Sequence, residues 1–221
     1  GTFRHEKGDP ELNSERGLQG DLNFTYQKNE LFALITPYIG YYDQYIYLAP
    51  QPEFSELPAG GQIYQYTQHD ALFIGFEFSL EYELVTDLQF RTATEYVWNK
   101  NLETSLPLPF TPPFSVFGEL EYGKSITGST ASYYFVSANY HYYADQNRVD
   151  RNELPTAGYS LVSLSAGFDF KIKNQNAQFR LSVNNVFDKA YMNHLSRYRL
   201  LNLPEQGRNV IVSLRLPFRL K

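Results

Sequence analysis

The chain has no cysteine, so it holds neither a disulfide nor a thiolate metal site. No run of eighteen or more apolar residues occurs, which excludes a transmembrane helix. It does not exclude a membrane barrel, whose strands are half polar. The net charge of −5 gives no sign of nucleic-acid binding, and no nucleic-acid partner is expected. Catalytic signatures are missing too: there is no Gly-x-Ser-x-Gly, no phosphate-binding glycine loop and no His-Glu-x-x-His. Neither an enzyme activity nor a cofactor is expected. Nothing near Gly1 reads as a signal peptide, which is expected to have been cleaved or to lie outside this piece.

What is present is aromatic residues, 17% of the chain, with 19 Tyr and 17 Phe. Such a load suits β-structure and membrane interfaces, where an amphipathic ring sits at headgroup level. The dominant pattern is alternation with period two. Over residues 72–84, Leu72, Ile74, Phe76, Phe78, Leu80, Tyr82 and Leu84 share one face, and Glu77, Ser79, Glu81 and Glu83 share the other. Residues 160–170 and 208–218 repeat the pattern. Weaker versions lie at 18–27, 31–42, 88–99, 114–122, 132–143 and 177–184, which makes nine strands and no convincing helix.

Alternation alone also fits a soluble β-sandwich. Three features favour a transmembrane barrel. Most strands run about ten residues, the length needed to cross the hydrocarbon layer at a tilt. Aromatics gather near strand ends, as at Tyr41–Tyr42, Tyr96 with Trp98, and Tyr142–Tyr143. Connections also alternate: short ones near Lys28–Asn29, Val85–Asp87, Gly123–Thr130 and Lys173–Asn176, and long ones over 47–62, 100–113, 144–158 and 186–207. Outer-membrane barrels have short periplasmic turns and long extracellular loops. On this reading the C-terminus is periplasmic, residues 1–17 are the tail of an extracellular loop, 18–218 are the C-terminal strands of an all-β, antiparallel transmembrane β-barrel, and 219–221 are a periplasmic tail. An odd count leaves two open edges in lipid, so further strands are expected to complete the barrel, from this gene product or a separate chain.

The C-terminal stretch carries a resemblance. Asn184, Asn185, Phe187 and Asp188 end one strand before a long loop; Gly207, Arg208 and Asn209 open the next, which ends at Phe218. This resembles the last hairpin of TonB-dependent outer-membrane receptors. Gly8, Asp9, Pro10, Leu12 and Glu15 are similar to a segment before a late barrel strand of that family, and Gly75-Phe76-Glu77 to its Gly-x-Glu strand signature. The variants look most like the branch that includes zinc-uptake receptors. The resemblance implies the C-terminal part of a barrel of about 22 strands. It further implies an N-terminal plug, contact with TonB through the missing N-terminal part, membrane lipid as neighbour, and a Gram-negative outer-membrane location. One departure is that Arg219, Leu220 and Lys221 follow the aromatic at which the family usually stops.

Candidate ligand residues are few. Four histidines occur, and His5, His69 and His194 fall in the extracellular half, while His141 faces the lumen by its phase. His69 lies beside Asp70, and His194 lies near Tyr191 and Tyr198. Imidazole with carboxylate is ordinary zinc or copper chemistry, so His5, His69 and His194 are candidate metal ligands. His69, Asp70, His194, Tyr191 and Tyr198 are candidate ligand-binding residues. The alternative is a polar rim with scattered histidines, and adjacent His-Asp is weak support because strand neighbours point to opposite faces. Lumen charges such as Glu77, Glu81, Arg91, Glu95, Glu119, Glu121 and Arg180 are expected to pair with a plug or a neighbouring strand. The function expected is energy-coupled import of a nutrient, a metal ion or metal complex first. A passive porin, or less readily a barrel enzyme, is the alternative.

Overall fold

The computed structural model describes residues 4–58, 60–127, 131–172 and 175–216. The expected terminal aromatic Phe218 and the tail 219–221 lie outside the described residues, as do parts of two short turns. The strands are β1 (His5–Lys7), β2 (Arg16–Asp21), β3 (Phe24–Lys28), β4 (Leu31–Phe54), β5 (Gln62–Val85), β6 (Leu88–Asn101), β7 (Ser115–Ser125), β8 (Ala131–Tyr143), β9 (Tyr159–Ile172), β10 (Gln175–Asn184) and β11 (Asn209–Arg215). One short 3-10 turn spans Arg197–Leu201. The sheet runs β11-β10-β9-β8-β7-β6-β5-β4-β2, with β3 also on β4. All these pairings are antiparallel; only β1 joins in parallel, against the outer part of β5.

β2 and β3 are two halves of one pass, so the nine expected passes are all present. The break at Leu22–Asn23 faces Pro37, which has no N–H to give the ladder. The Leu22 N–H still donates to the Pro37 carbonyl (3.1 Å), and the Thr36 hydroxyl donates to Asn23 Oδ1 (2.7 Å).

Register fixes the two faces. Ile39, Ile74, Leu120, Val136, Leu164 and Val212 stand on the outer face, all exposed, as a lipid-facing belt requires. The inner face is polar. There Arg91 on β6 pairs with Glu119 (3.2 Å) and Glu121 (3.4 Å) on β7, and the Ser165 hydroxyl donates to Ser182 (3.0 Å). Glycines on this face seat cross-strand rings: Tyr38 lies over Gly75 and Phe135 over Gly167, each pair in direct register or contact.

One expectation needs correction. Residues 47–62 are mostly not loop: β4 and β5 are 24 residues each and continue as a paired hairpin to Phe54 and Gln62. The period-two alternation of Tyr45, Tyr47 and Ala49 against Gln65, Thr67 and His69 sustains the ladder past the end of β6. A β-bulge sits at the rim, where Asp43 and Gln44 together oppose Asp70. Gln44 takes a left-handed φ of 57° there. The extra residue restores Tyr45 and Tyr47 to the inner face, where Tyr45 packs on Phe73 at 5.2 Å.

A Cβ on Gly75 would collide with the Tyr96 carbonyl oxygen and with the Tyr38 hydroxyl. Because the first of these is backbone, Gly75→Ala is expected to cost about 1–3 kcal/mol. The check is the urea midpoint of the full barrel refolded in lipid vesicles; an unchanged midpoint would mean that β4 and β6 yield freely.

Candidate functional site

The outer ends of the strands carry an extensive cluster of polar, buried side chains, built from strand ends and loops together. Asn101, at the end of β6, is 2% exposed. Its Oδ1 accepts from the backbone N–H groups of Glu103 and Thr104 (3.0 Å each), which fixes the amide, and its Nδ2 donates to the Tyr47 hydroxyl (2.8 Å). Burial, partly offset by the Asn101 hydrogen bond, pushes the Tyr47 phenol up to about 12. The phenol therefore keeps its proton and donates a hydrogen bond to His69 Nδ1, 2.9 Å away. With Nδ1 accepting from Tyr47, the His69 ring turns its Nε2 toward the Glu103 carboxylate at 3.6 Å.

His69 and Tyr47 line a cavity of about 330 Å³, together with Thr67, Thr104, Asp150 and Arg151. Burial raises the Asp150 carboxyl above the usual range, against the hydrogen bond it accepts from the Arg151 N–H. Asp70 does not join this cavity. Its carboxylate accepts from the Gln44 N–H (3.0 Å) and the Tyr41 hydroxyl (2.9 Å), so it caps the bulge on the opposite face from His69.

The second cluster centres on Glu153, in the loop after β8. Glu153 Oε1 accepts from Arg199 Nη2 (2.7 Å) and the Phe110 N–H (3.0 Å). His194 Nε2 lies 3.2 Å from the same oxygen, in ion-pair range but without the alignment of a hydrogen bond, and His194 Nδ1 meets the Thr156 hydroxyl. Side-chain exposures of 2%, 5% and 1% for Glu153, Arg199 and His194 make this a fully desolvated knot. Burial opposes ionisation of Glu153, but His194, the Phe110 N–H and the Arg199 charge outweigh it and hold its carboxyl below the usual range. Around the knot, Asn152 Nδ2 donates to the Pro50 carbonyl (3.0 Å) and Gln146 Nε2 to the Thr111 carbonyl (2.9 Å). Four outer connections are thereby tied into one unit.

The structure does not bring the candidate metal ligands together. His5 Nδ1 meets Ser55 Oγ (2.8 Å), His69 is held by Tyr47, and His194 is sealed in the Glu153 knot. Among the described residues no group of three or more His, Cys, Asp or Glu side chains is placed to hold a metal ion. Tyr191 packs on Tyr159 with ring centroids 4.4 Å apart, whereas Tyr198 stands exposed on the 3-10 turn. Glu153, Arg199 and Asn101 were not singled out from the sequence. The partners of Glu153 lie 41 to 46 residues away, so no local spacing marks them.

Glu153→Ala would leave the Arg199 guanidinium buried without its partner, a loss of about 3–5 kcal/mol. Faster amide exchange at residues 150–158 and 191–199 is the expected readout. The pH dependence has a fixed sign: the folded carboxyl lies below its unfolded value. Its stabilisation is therefore complete above the ordinary glutamate range and disappears only as pH falls through the lower, folded value. Exchange that accelerates already between pH 8 and 6 would contradict this assignment.

Comparison with known proteins places the fold. No curated protein sequence matches the chain. The structure is similar to the copper transporter OprC, with 23% identity and a TM-score of 0.77 over 93% of this chain and 31% of that one. It is similar to the siderophore receptor PirA from Acinetobacter baumannii, with 21% identity and a TM-score of 0.64 over 95% of this chain and 32% of that one. The FrpB iron transporter from Neisseria meningitidis (F5-1 variant) gives 15% identity and a TM-score of 0.66 over 97% and 33%. The chain thus spans about a third of the length of these structures. The family model described as "TonB dependent receptor-like, beta-barrel" matches residues 1–186, and the chain belongs to that family of receptor barrels.

Proposed function

We propose that this chain is the C-terminal barrel portion of an energy-coupled outer-membrane receptor that binds a metal ion or metal complex at its extracellular loops and imports it. The family match carries this reading. The rest of the receptor supplies the remaining strands, a plug inside the barrel and the contact with TonB. The named likenesses to a copper transporter, a siderophore receptor and an iron transporter support metal as the cargo. This chain contributes wall and loops. Of the residues considered from sequence, His69 and Tyr191 line open cavities and are the ones assigned to ligand contact. Asp70 and His194 hold the rim in shape instead. The tied loop cluster suits the task, because a preorganised rim does not spend ligand affinity on ordering loops.

The test uses the full-length receptor in a strain deprived of its own metal receptors and grown on limiting metal. Accumulated cell metal is measured with and without a protonophore. Accumulation that stops with the protonophore is expected; accumulation that continues would indicate a passive pore. His69→Ala is expected to lower accumulation at limiting metal about three- to tenfold, the range for one lost polar contact.

A further inference from the structure

The β4–β5 hairpin outruns its neighbours. β6 ends at Asn101, opposite Ala71 on β5, and β2 begins at Arg16, opposite Asp43 on β4. Beyond those points β4 and β5 pair with each other as far as Phe54 and Gln62, and the one further strand on them is the short β1. A two-stranded hairpin standing alone in water is marginally stable, and a third strand or a packed face is what steadies it.

The segment before β2 supplies both. β4 occupies one edge of β5 along Gln62–Tyr66, so β1, in parallel register with Ile63, Tyr64 and Gln65, lies on the other edge, past the end of β6. There His5 Nδ1 meets Ser55 Oγ (2.8 Å), and the Arg4 guanidinium lies over the Tyr64 ring at 4.9 Å and the Phe110 ring at 5.8 Å. The chain then turns, with the Glu11 N–H donating to Asp9 Oδ1 (2.9 Å). It crosses one face of the hairpin at Asn13, whose N–H donates to Gln68 Oε1 (2.8 Å). Gln68 Nε2 donates in return to the Asn13 carbonyl (2.7 Å) and to the Gln44 carbonyl of the bulge (2.9 Å). Gln68 and His69 are adjacent, so the pleat puts this crossing on the face opposite the His69 cavity. At the far edge, Glu15 Oε2 accepts from the N–H of Ile46, the register partner of Gln68. Residues 5–15 therefore run from one edge of the hairpin to the other and are tied at each stage. The Gly8, Asp9, Pro10, Leu12 and Glu15 pattern of the sequence lies in this crossing.

We propose that residues 5–15 are a clasp that holds the projecting hairpin as a fixed wall of the His69 cavity, with Glu15 and Gln68 as positioning residues for ligand contact. The proposal rests on the receptor reading above. The hairpin gives Tyr47, Thr67 and His69 to one side of that cavity, and the loops give Thr104, Asp150 and Arg151 to the other. On the cavity side the hairpin is tied by Asn101 to Tyr47 and by Asn152 to the Pro50 carbonyl. The clasp acts from behind and from both edges. With it undone, the outer hairpin frays, and the ligand spends affinity on ordering the wall.

The experiment uses the full-length receptor. Glu15→Ala removes the acceptor for Ile46, Gln68→Ala removes the bonds to Asn13 and Gln44, and Glu15→Gln keeps an acceptor oxygen. Heat-modifiable migration on gels shows that each variant barrel has folded. Amide exchange at residues 45–52 and 62–68 is expected to be about three- to tenfold faster in both alanine variants, the size of one or two lost hydrogen bonds. Glu15→Gln is expected to exchange like wild type. The second readout is protonophore-sensitive accumulation from limiting aqueous copper(II). Glu15→Ala is expected to lower it about three- to tenfold. Glu15→Ala combined with His69→Ala is expected to lose less than the two single losses multiplied together, because the clasp acts through the wall that carries His69. Hairpin exchange unchanged in both alanine variants, or single losses that multiply in full, overturns the proposal. Wild type that shows no protonophore-sensitive accumulation would instead sink the receptor reading, and hairpin exchange alone then decides the clasp.

Discussion

An unpaired backbone amide in hydrocarbon costs several kcal/mol, and a spanning strand finds its partner only in the next strand. That constraint organises the whole chain. Each interior pass is laddered to both neighbours, and the outer ends of the longest strands run on with one neighbour alone. The interruption opposite Pro37 is repaired by the Pro37 carbonyl and by the Thr36–Asn23 side-chain bond rather than left open. The first pass and β11 are the ends of the path, each with a strand neighbour on one side only among the described residues.

Once the ladder is fixed, period two divides the side chains into a lipid-facing belt and a polar inner wall, and little freedom is left between the rims. The freedom lies above. The long β4–β5 hairpin, the bulge at its base and the Glu153 knot make the outer rim a built surface rather than a set of independent loops. Burying a carboxylate is costly, and it is tolerated here because an arginine, a backbone N–H and a histidine converge on one oxygen. Such a knot selects one arrangement of the connections over others, since any shift strands a buried charge.

Legibility followed range. The passes could be read because alternation is local: nine runs of odd and even positions predict nine paired strands. The site was read less well. His69 and Asp70 are adjacent and look like a pair, yet the pleat sends them to opposite faces, one to a cavity and one to a bulge. His194 and Tyr191 lie three positions apart in the last loop, but one is sealed against Glu153 and the other packs on Tyr159. The hairpin extension over 47–62 was missed because its prolines and glycines read as loop. Pairing across the hairpin outweighed that local signal.

The sequence by itself determined the fold class, the number of passes, the inside and outside of each strand and the side on which the long connections lie. Each of these rests on interactions between residues one or two positions apart, or on composition. Only the tertiary structure decided which residues of the outer rim meet: Glu153 with Arg199, Asn101 with Tyr47, Tyr143 with Tyr159. Those contacts join positions 16 to 54 apart, and strand register together with loop packing, rather than local pattern, sets such distances.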